Sequence, residues 1–182
     1  KKDKLDIEKI PMINLFNEYF DGDMSKLVFQ EIREAQGLAY SAGARYTIPD
    51  NTDDSHYLYT YIMTQPDKFD EALKSMNSLL NNMPLIEKNF DASVNKIRAV
   101  IQTKRIIKMG IFWSWHNNIQ KGIDYDFREK IYNQVGKFTM EDMNNFYQKE
   151  VKDRNFVYLI MADKEKIDFE KLKKLFVVFH YA

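Results

Sequence analysis

The strongest constraint on the fold is a change of periodicity within residues 21–48. Before Gly37, apolar residues such as Leu27 and Ile32 follow the spacing of a buried helix face. After Gly37, apolar and polar residues alternate over 38–48, as they do in a strand with one buried face. Glycine adopts the left-handed conformation that ends a helix at little cost. The stretch therefore predicts a loop, a helix, a tight stop and a strand.

The rest of the chain continues this mixture of helical and strand patterns. Helices are predicted over residues 10–20, 66–83, 91–122 (broken near Gly110), 126–135, 139–149 and 168–175, and strands over 57–64, 155–162 and the apolar tail 176–182. The short link after the first strand favours an antiparallel pair, and the nearly continuous apolar run 155–162 indicates a central strand buried on both faces. We therefore expect one α+β domain over residues 1–182, with a mainly antiparallel sheet packed on one face by helices.

Composition supports a packed core and excludes several kinds of site. The 182 residues are 45% hydrophobic and contain no cysteine, which excludes disulfides, thiol nucleophiles and Cys-ligated zinc. Lys+Arg and Asp+Glu balance at 27 each, so net charge gives no general reason to expect nucleic acid or a membrane surface as a partner. No apolar run approaches the roughly 20 residues that span a bilayer, and we expect no membrane insertion. The sequence is compatible with a periplasmic or a cytoplasmic location.

The common catalytic motifs are absent from the sequence. The three histidines, His56, His116 and His180, are far apart, and no His-x-x-Glu-His or His-Glu-x-x-His pattern occurs. A single histidine lacks the neighbouring ligands and general base of a zinc hydrolase, so we expect structural roles. Gly-x-Ser-x-Gly, P-loop and dinucleotide-binding patterns are also missing. We therefore predict no catalytic residue, no metal ligand and no cofactor within this chain.

Three further groups of residues favour structural interpretations. Neighbouring acids on a helix and runs of basic residues usually form solvated surfaces. Aromatic residues can stack on ligands, but they pack into cores more often. The groups are Glu31 with Glu34; the basic run Lys96, Arg98, Lys104, Arg105 and Lys108; and Trp113 with Trp115, for which we expect core packing.

Arg33 and Tyr40 lie seven residues apart across the predicted helix-to-strand turn. An arginine offers a rigid fork of donors that suits substrate carbonyl groups and keeps its charge at ordinary pH. A tyrosine hydroxyl can donate to the oxyanion that forms when a peptide carbonyl is attacked. The sequence also allows simpler roles: Arg33 could offset the helix dipole, and Tyr40 could pack on its strand face.

The same stretch carries a resemblance to a known family. The matching residues are Gly22, Met24, Ser25, Val28, Phe29, Gln30, Glu31, Ile32, Arg33, Glu34, Gly37, Leu38, Ala39 and Tyr40. This pattern resembles the non-catalytic halves of the insulinase/pitrilysin-like zinc metallopeptidases, and the later order of elements is similar too. The resemblance implies a LuxS/MPP-like metallopeptidase repeat. Members are built from two halves of two α+β domains each, which enclose a chamber, and the first half carries the zinc motif His-x-x-Glu-His.

By this resemblance, we expect the chain to be the last domain of a second half. We expect it to be inactive when isolated, because it has no His-x-x-Glu-His motif. Arg33 and Tyr40 match, in type and spacing, a pair that reaches across the chamber to bind substrate at the zinc site. Zinc is implied in the partner domain, and the implied partners are the N-terminal catalytic half of the same protein and a peptide substrate.

Two departures and one alternative accompany the resemblance. The loop 21–23 is Asp-Gly-Asp, where relatives are often glycine-rich. Relatives also have a strand before the opening helix, so we expect a chain truncated at its N-terminus that lacks its first strand. The alternative function is a non-enzymatic scaffold or peptide-binding module with the same fold. An intact His-x-x-Glu-His upstream in the parent gene would favour the peptidase, whereas a degenerate motif would favour the scaffold.

Overall fold

The computed structural model describes residues 4–21, 27–28, 37–166 and 168–175. Within these residues the architecture is α+β, as expected. The helices are α1 (Ile10–Asp21), α2 (Phe69–Asn81), α3 (Glu87–Thr103), α4 (Lys108–Gln120), α5 (Phe127–Val135), α6 (Met140–Glu150) and α7 (Phe169–Leu175), and the strands are β1 (Ser41–Tyr46) and β2 (Leu58–Met63). Short 3-10 turns occupy Ile7–Lys9, Pro66–Lys68 and Lys164–Lys166.

The two strands form an antiparallel pair, as their short connection predicted. Ser41 lies opposite Met63, and Tyr46 lies opposite Leu58. One face of this sheet turns toward the core, where Ala44 and Tyr46 are buried. The opposite face is open, and it carries exposed side chains that include Tyr59, Tyr61 and Met63. Helices therefore cover the described sheet on one face only.

Helix α1 lies at the centre of the hydrophobic core. It packs against β1, α3, α5 and α6. The rings of Phe16 and Phe20 stack with centroids 5.2 Å apart, and Phe146 of α6 lies 5.4 Å from Phe16. Both α1 phenylalanines are completely buried. This helix is the element on which the sheet and the later helices are assembled.

Two polar side chains of α1 bind backbone groups of neighbouring segments. The Asn17 side-chain amide donates to the carbonyl of Tyr46 over 2.9 Å, and its oxygen accepts the Tyr46 N–H over 2.8 Å. Asn17 thus pairs with β1 as a neighbouring strand would. The Tyr19 hydroxyl donates to the carbonyl of Pro84 at 2.7 Å and accepts the N–H of Ile86 at 2.8 Å. Burial raises the pKa of Tyr19, since the charged phenolate is disfavoured there.

Helix ends follow the local sequence signals where these are present. Thr139 and Asp142 form the predicted capping box at the start of α6. Asp126 caps α5 by accepting the N–H of Arg128, and Arg128 also donates side-chain hydrogen bonds to it. That interaction with Arg128 lowers the pKa of the Asp126 carboxyl.

The predicted central strand over residues 155–162 is wrong. No strand pairing involves this segment within the described residues. Phe156 packs against the core, and the Tyr158 hydroxyl lies 3.1 Å from Oδ1 of Asn77 in α2. On the other side, Val157 and Leu159 are 99% and 94% exposed. A continuous apolar run predicts burial on both faces only when layers exist on both sides, and the described residues supply one layer.

The predicted helix break near Gly110 is displaced toward the N-terminus. Helix α3 ends at Thr103, and residues 104–107 separate it from α4. Lys104 and Ile107 both have extended backbone angles, while Gly110 lies inside the first turn of α4. The β-branched Ile106 and Ile107 favour extended conformations, which gives the break a local cause.

Some predicted elements fall outside the described residues. Leu27 and Val28 are helical and buried, but the remainder of the predicted helix before Gly37 lies outside, as does the tail 176–182. Among the described helices, none combines the length and the apolar character needed to cross a membrane.

Candidate functional site

Tyr40 lies immediately before β1, with its side chain 68% exposed. Its backbone N–H donates to the carbonyl of Met63 over 2.8 Å, so it extends the strand pairing by one residue. Its hydroxyl accepts a hydrogen bond of 2.7 Å from Nε2 of Gln65. Strand alternation grouped Tyr40 with Leu38 and Ala44, which are buried. Tyr40 departs from that group because it lies at the strand end, and its side chain does not pack into the core.

Residues 37–40 are tied to the end of β2 and the turn that follows it. The Thr64 hydroxyl donates to the carbonyl of Leu38 at 2.5 Å, and Nζ of Lys68 donates to the carbonyl of Gly37 at 3.0 Å. The Leu38 side chain is buried, which anchors the same segment in the core. The position of Tyr40 is therefore fixed by backbone, side-chain and hydrophobic contacts together.

Gly37 has a positive φ of 56°, as expected of a residue in the left-handed region. A Cβ at this position would meet no atom within 4 Å, so backbone conformation alone favours glycine here. Arg33, the second predicted site residue, lies outside the described residues, as do Glu31 and Glu34.

Sequence reasoning missed Gln65 as a partner of Tyr40 and Lys68 as a partner of Gly37. Gln65 precedes the Pro66–Lys68 turn, and no motif marks it. Its amide accounts for one lone pair of the Tyr40 oxygen, which leaves the Tyr40 O–H proton available as a donor. The arrangement can therefore present an oriented, exposed hydroxyl donor to a carbonyl oxygen of a ligand.

His56 has a structural role, as expected. It is buried, and its Nε2 accepts the N–H of Asp6 over 3.1 Å. Its Nδ1 lies 2.8 Å from the carbonyl of Thr47, so this nitrogen carries the proton and donates it. Both ring nitrogens are used for holding the N-terminal segment against the strand connection. His180 lies outside the described residues.

The expectation of core packing for the two tryptophans is wrong. Trp113 and Trp115 are 53% and 56% exposed on α4. His116 stacks against the ring of Phe112, with centroids 6.1 Å apart, on the same helix. Their aromatic contacts are made within α4, because no other described element has an extensive contact with this helix.

One buried carboxylate is also accounted for by structural contacts. Glu150 at the end of α6 is buried, and it accepts hydrogen bonds from Nζ of Lys9 at 3.0 Å and from the Tyr46 hydroxyl at 3.2 Å. A buried carboxylate with a cation and a hydroxyl as partners is compensated, and it needs no ligand.

A shallow cleft of about 340 Å³ lies between the end of α3 and α5. Its polar groups bind one another: Asp126 pairs with Arg128, and Gln102 donates to the Tyr132 hydroxyl over 2.7 Å. Across the described part of the chain, no group of three or more His, Asp or Glu side chains is arranged to hold a metal ion.

The comparisons with known proteins agree with the fold. Residues 2–96, just over half of the chain, match the sequence profile of the peptidase M16 inactive domain. Among solved structures, the chain is similar to a peptidase M16 inactive domain from Pseudomonas fluorescens, with a TM-score of 0.66 and 15% sequence identity over 83% of this chain. The present chain spans 36% of the length of that one. No curated protein matches the chain.

The profile match and the shared fold together confirm the resemblance that residues 22–40 suggested. The chain belongs to the insulinase-like peptidase M16 family, as one of its non-catalytic, inactive domains.

Proposed function

We propose that this domain binds peptide substrate and completes the active site of a separate catalytic half of a zinc metalloendopeptidase. The family implies zinc in that catalytic partner half. The described residues of this chain do not fit a metal ion, so no step of the reaction is assigned to a metal here. What this chain would supply is recognition of the peptide by side chains presented at one edge of its sheet.

The exposed, oriented hydroxyl of Tyr40 is the observation that carries the proposal. A tyrosine that only served packing would be buried among Leu38 and Ala44, whereas this one is 68% exposed. Gln65 holds the oxygen from one side and leaves the proton free to donate. A donor placed at a developing oxyanion typically contributes about 3 kcal/mol to the transition state, which is the role proposed for Tyr40.

Arg33 is proposed as the second substrate-binding residue, on its match to the family pattern. Its guanidinium would bind peptide carbonyl groups next to the one that Tyr40 contacts. The seven-residue spacing places Arg33 in the chain just before Gly37, and residues 37–40 are held firmly by the contacts to Leu38 and Tyr40.

Reconstitution with the partner half tests the proposal. The His-x-x-Glu-His half would be expressed separately, and cleavage of a quenched fluorescent peptide would be followed with each part alone and with both. We expect cleavage only with both parts. In the complete enzyme, Arg33→Ala should lower kcat/KM by about tenfold or more, since hydrogen bonds to the peptide carbonyl groups are lost.

Arg105→Ala provides the matched control, because Arg105 is an exposed arginine in the connector before α4. It should leave the rate unchanged. Full activity of the partner half without this chain would contradict the proposal. Absence of cleavage by an intact, zinc-loaded pair would favour the scaffold function instead.

A further inference from the structure

Helix α4 has an apolar surface that the described fold does not use. None of its residues is buried. The helix nevertheless carries six large apolar side chains, each between 44% and 62% exposed: Met109, Ile111, Phe112, Trp113, Trp115 and Ile119. Exposed apolar side chains are normal when they are isolated, but a contiguous group marks an interaction surface.

These side chains cover a broad arc of the helix. Ile111, Trp115 and Ile119 follow at four-residue spacing, so they form one row along the axis. Phe112 lies beside this row, and Trp113 extends the apolar surface around the helix. The Phe112 ring meets the Trp113 ring edge-on, with centroids 5.3 Å apart. The rings thus hold one another in place on a surface that is wider than a single core-facing stripe.

Charge is segregated in the same part of the chain, although the whole chain is neutral. No Asp or Glu occurs between Asp91 and Asp124. The three cations immediately before and at the start of α4, Lys104, Arg105 and Lys108, are exposed. Within the described residues, no ion pair involves any of them. A positive field therefore adjoins the apolar arc.

We propose that α4, together with Lys104, Arg105 and Lys108, binds the surface of an anionic lipid bilayer. This set of residues is called the aromatic-basic surface below. Tryptophan is favoured at the headgroup level of membranes, where its ring is partly apolar and its N–H stays hydrated. Lysine and arginine next to a shallowly inserted helix bind anionic headgroups. The helix lies on the bilayer in this account and does not cross it.

The shape and charge of the surface favour a lipid bilayer over a second copy of the chain and over a protein groove. A second copy of the chain would bring two acid-free, basic segments together, and like charges in contact are unfavourable. A protein groove that holds one helix usually covers a narrow row of anchors, whereas this apolar arc is wide. A bilayer interface supplies both a broad apolar layer and negative charge.

The aromatic-basic surface is separate from the candidate site at Tyr40. Lys121, just after α4, approaches Oδ1 of Asp50 at 3.5 Å in the β1–β2 connection. Tyr40 lies at the opposite end of the strand pair, beside Met63. The two proposals therefore rest on different residues, and they can be tested independently.

The chain contains only two tryptophans, and both lie on α4, so intrinsic fluorescence reports on this surface. The 182-residue chain would be mixed with vesicles of phosphatidylcholine alone or with added phosphatidylglycerol. We expect a blue shift of the emission and co-sedimentation with the anionic vesicles. The variant Lys104→Glu/Arg105→Glu/Lys108→Glu should bind about 100-fold more weakly, because each basic residue contributes a factor of about five to the affinity.

A matched variant, Lys74→Glu/Lys88→Glu/Lys137→Glu, changes the net charge equally at exposed lysines outside α4 and residues 104–107. It should keep vesicle binding. The proposal would be overturned by equal shifts with neutral vesicles, by equal losses in both triple variants, or by a blue shift that follows self-association in sedimentation velocity without any vesicles.

Discussion

Helices α1 and α4 are similar in length and in apolar content, yet they lie in opposite environments. Helix α1 has 12 residues and buries eight of them. Helix α4 has 13 residues and buries none. Phe16 on α1 is completely buried, whereas Phe112 on α4 is 51% exposed. The difference comes from the neighbours: α1 packs against a strand and three helices, and α4 has no extensive contact with another described element.

Two helices with similar apolar content can therefore differ completely in how far the rest of the fold buries them. An apolar helical pattern indicates that a surface will be covered, but it does not identify what covers it. The apolar surface of α1 is covered by other elements of the same domain. For α4, we infer that the apolar surface is covered by a partner outside the domain, the lipid bilayer proposed above. The following substitutions test whether the two helices differ in this way.

The largest contrast is expected between Phe16→Ala and Phe112→Ala. Removing a buried phenylalanine leaves a cavity and should lower the free energy of unfolding by about 3–5 kcal/mol. Removing the exposed Phe112 should change it by about 0.5 kcal/mol or less. Urea unfolding followed by circular dichroism measures both. Equal losses in the two variants would show that α4 packs as α1 does, and would remove the basis for the comparison.

A second contrast concerns the polar residues Asn17 and Asn117. Asn17 makes two hydrogen bonds to the buried backbone of Tyr46. Asn17→Ala should therefore cost about 2 kcal/mol of unfolding free energy. Asn117 is exposed on α4, and Asn117→Ala should lie within about 0.5 kcal/mol of the parent chain. A loss below about 0.5 kcal/mol for Asn17→Ala would mean that the two hydrogen bonds between the Asn17 side chain and the Tyr46 backbone do not stabilise the fold.

A smaller, pH-dependent difference is expected for Tyr19. Burial raises its folded pKa above the ordinary value of 10.0, so the unfolded chain loses this proton first as pH rises. The folded state is then disfavoured progressively above about pH 10, and unaffected by this group at lower pH. Tyr19→Phe should cost about 1 kcal/mol at neutral pH, through the lost hydrogen bonds, and should reduce the alkaline destabilisation.

Unfolding free energies measured between neutral and alkaline pH would show this effect. Tyr125→Phe, at an exposed tyrosine near the end of α4, is the control, and it should retain the alkaline dependence of the parent chain. Identical pH profiles for Tyr19→Phe and the parent would contradict the burial of Tyr19 between α1 and the α2–α3 connection.

The sequence predicted elements whose determinants are local. The capping box at Thr139 and the antiparallel β1–β2 pair are of this kind, since short-range hydrogen bonding and a short connection decide them. The sequence-based prediction was wrong where burial depends on elements that are distant in the chain. Residues 155–162 have the composition of a buried strand, but the described fold covers only the side of Phe156 and Tyr158.

The candidate site divides in the same way. Tyr40 was proposed from its spacing and from the family pattern; the family is confirmed, whereas the substrate-binding role of Tyr40 stays a prediction. Gln65 was missed, because its contact with the Tyr40 hydroxyl joins residues 25 positions apart and depends on the pairing of β1 with β2. Arg33 stays a prediction. No motif in a single sequence marks a side-chain contact across a sheet, whereas turn-forming residues mark the connection that brings the two strands together.

We propose that this domain supplies a substrate-binding hydroxyl to a partner half, and the variant Tyr40→Phe is the sharpest test of that role. The substitution keeps the ring and removes the hydroxyl, which includes both the donated proton and the oxygen that accepts from Gln65. In the reconstituted two-part enzyme, kcat for peptide cleavage should fall by about tenfold or more, while Tyr125→Phe should cleave at the parent rate. Cleavage by the Tyr40→Phe enzyme at the full parent rate would contradict the claim.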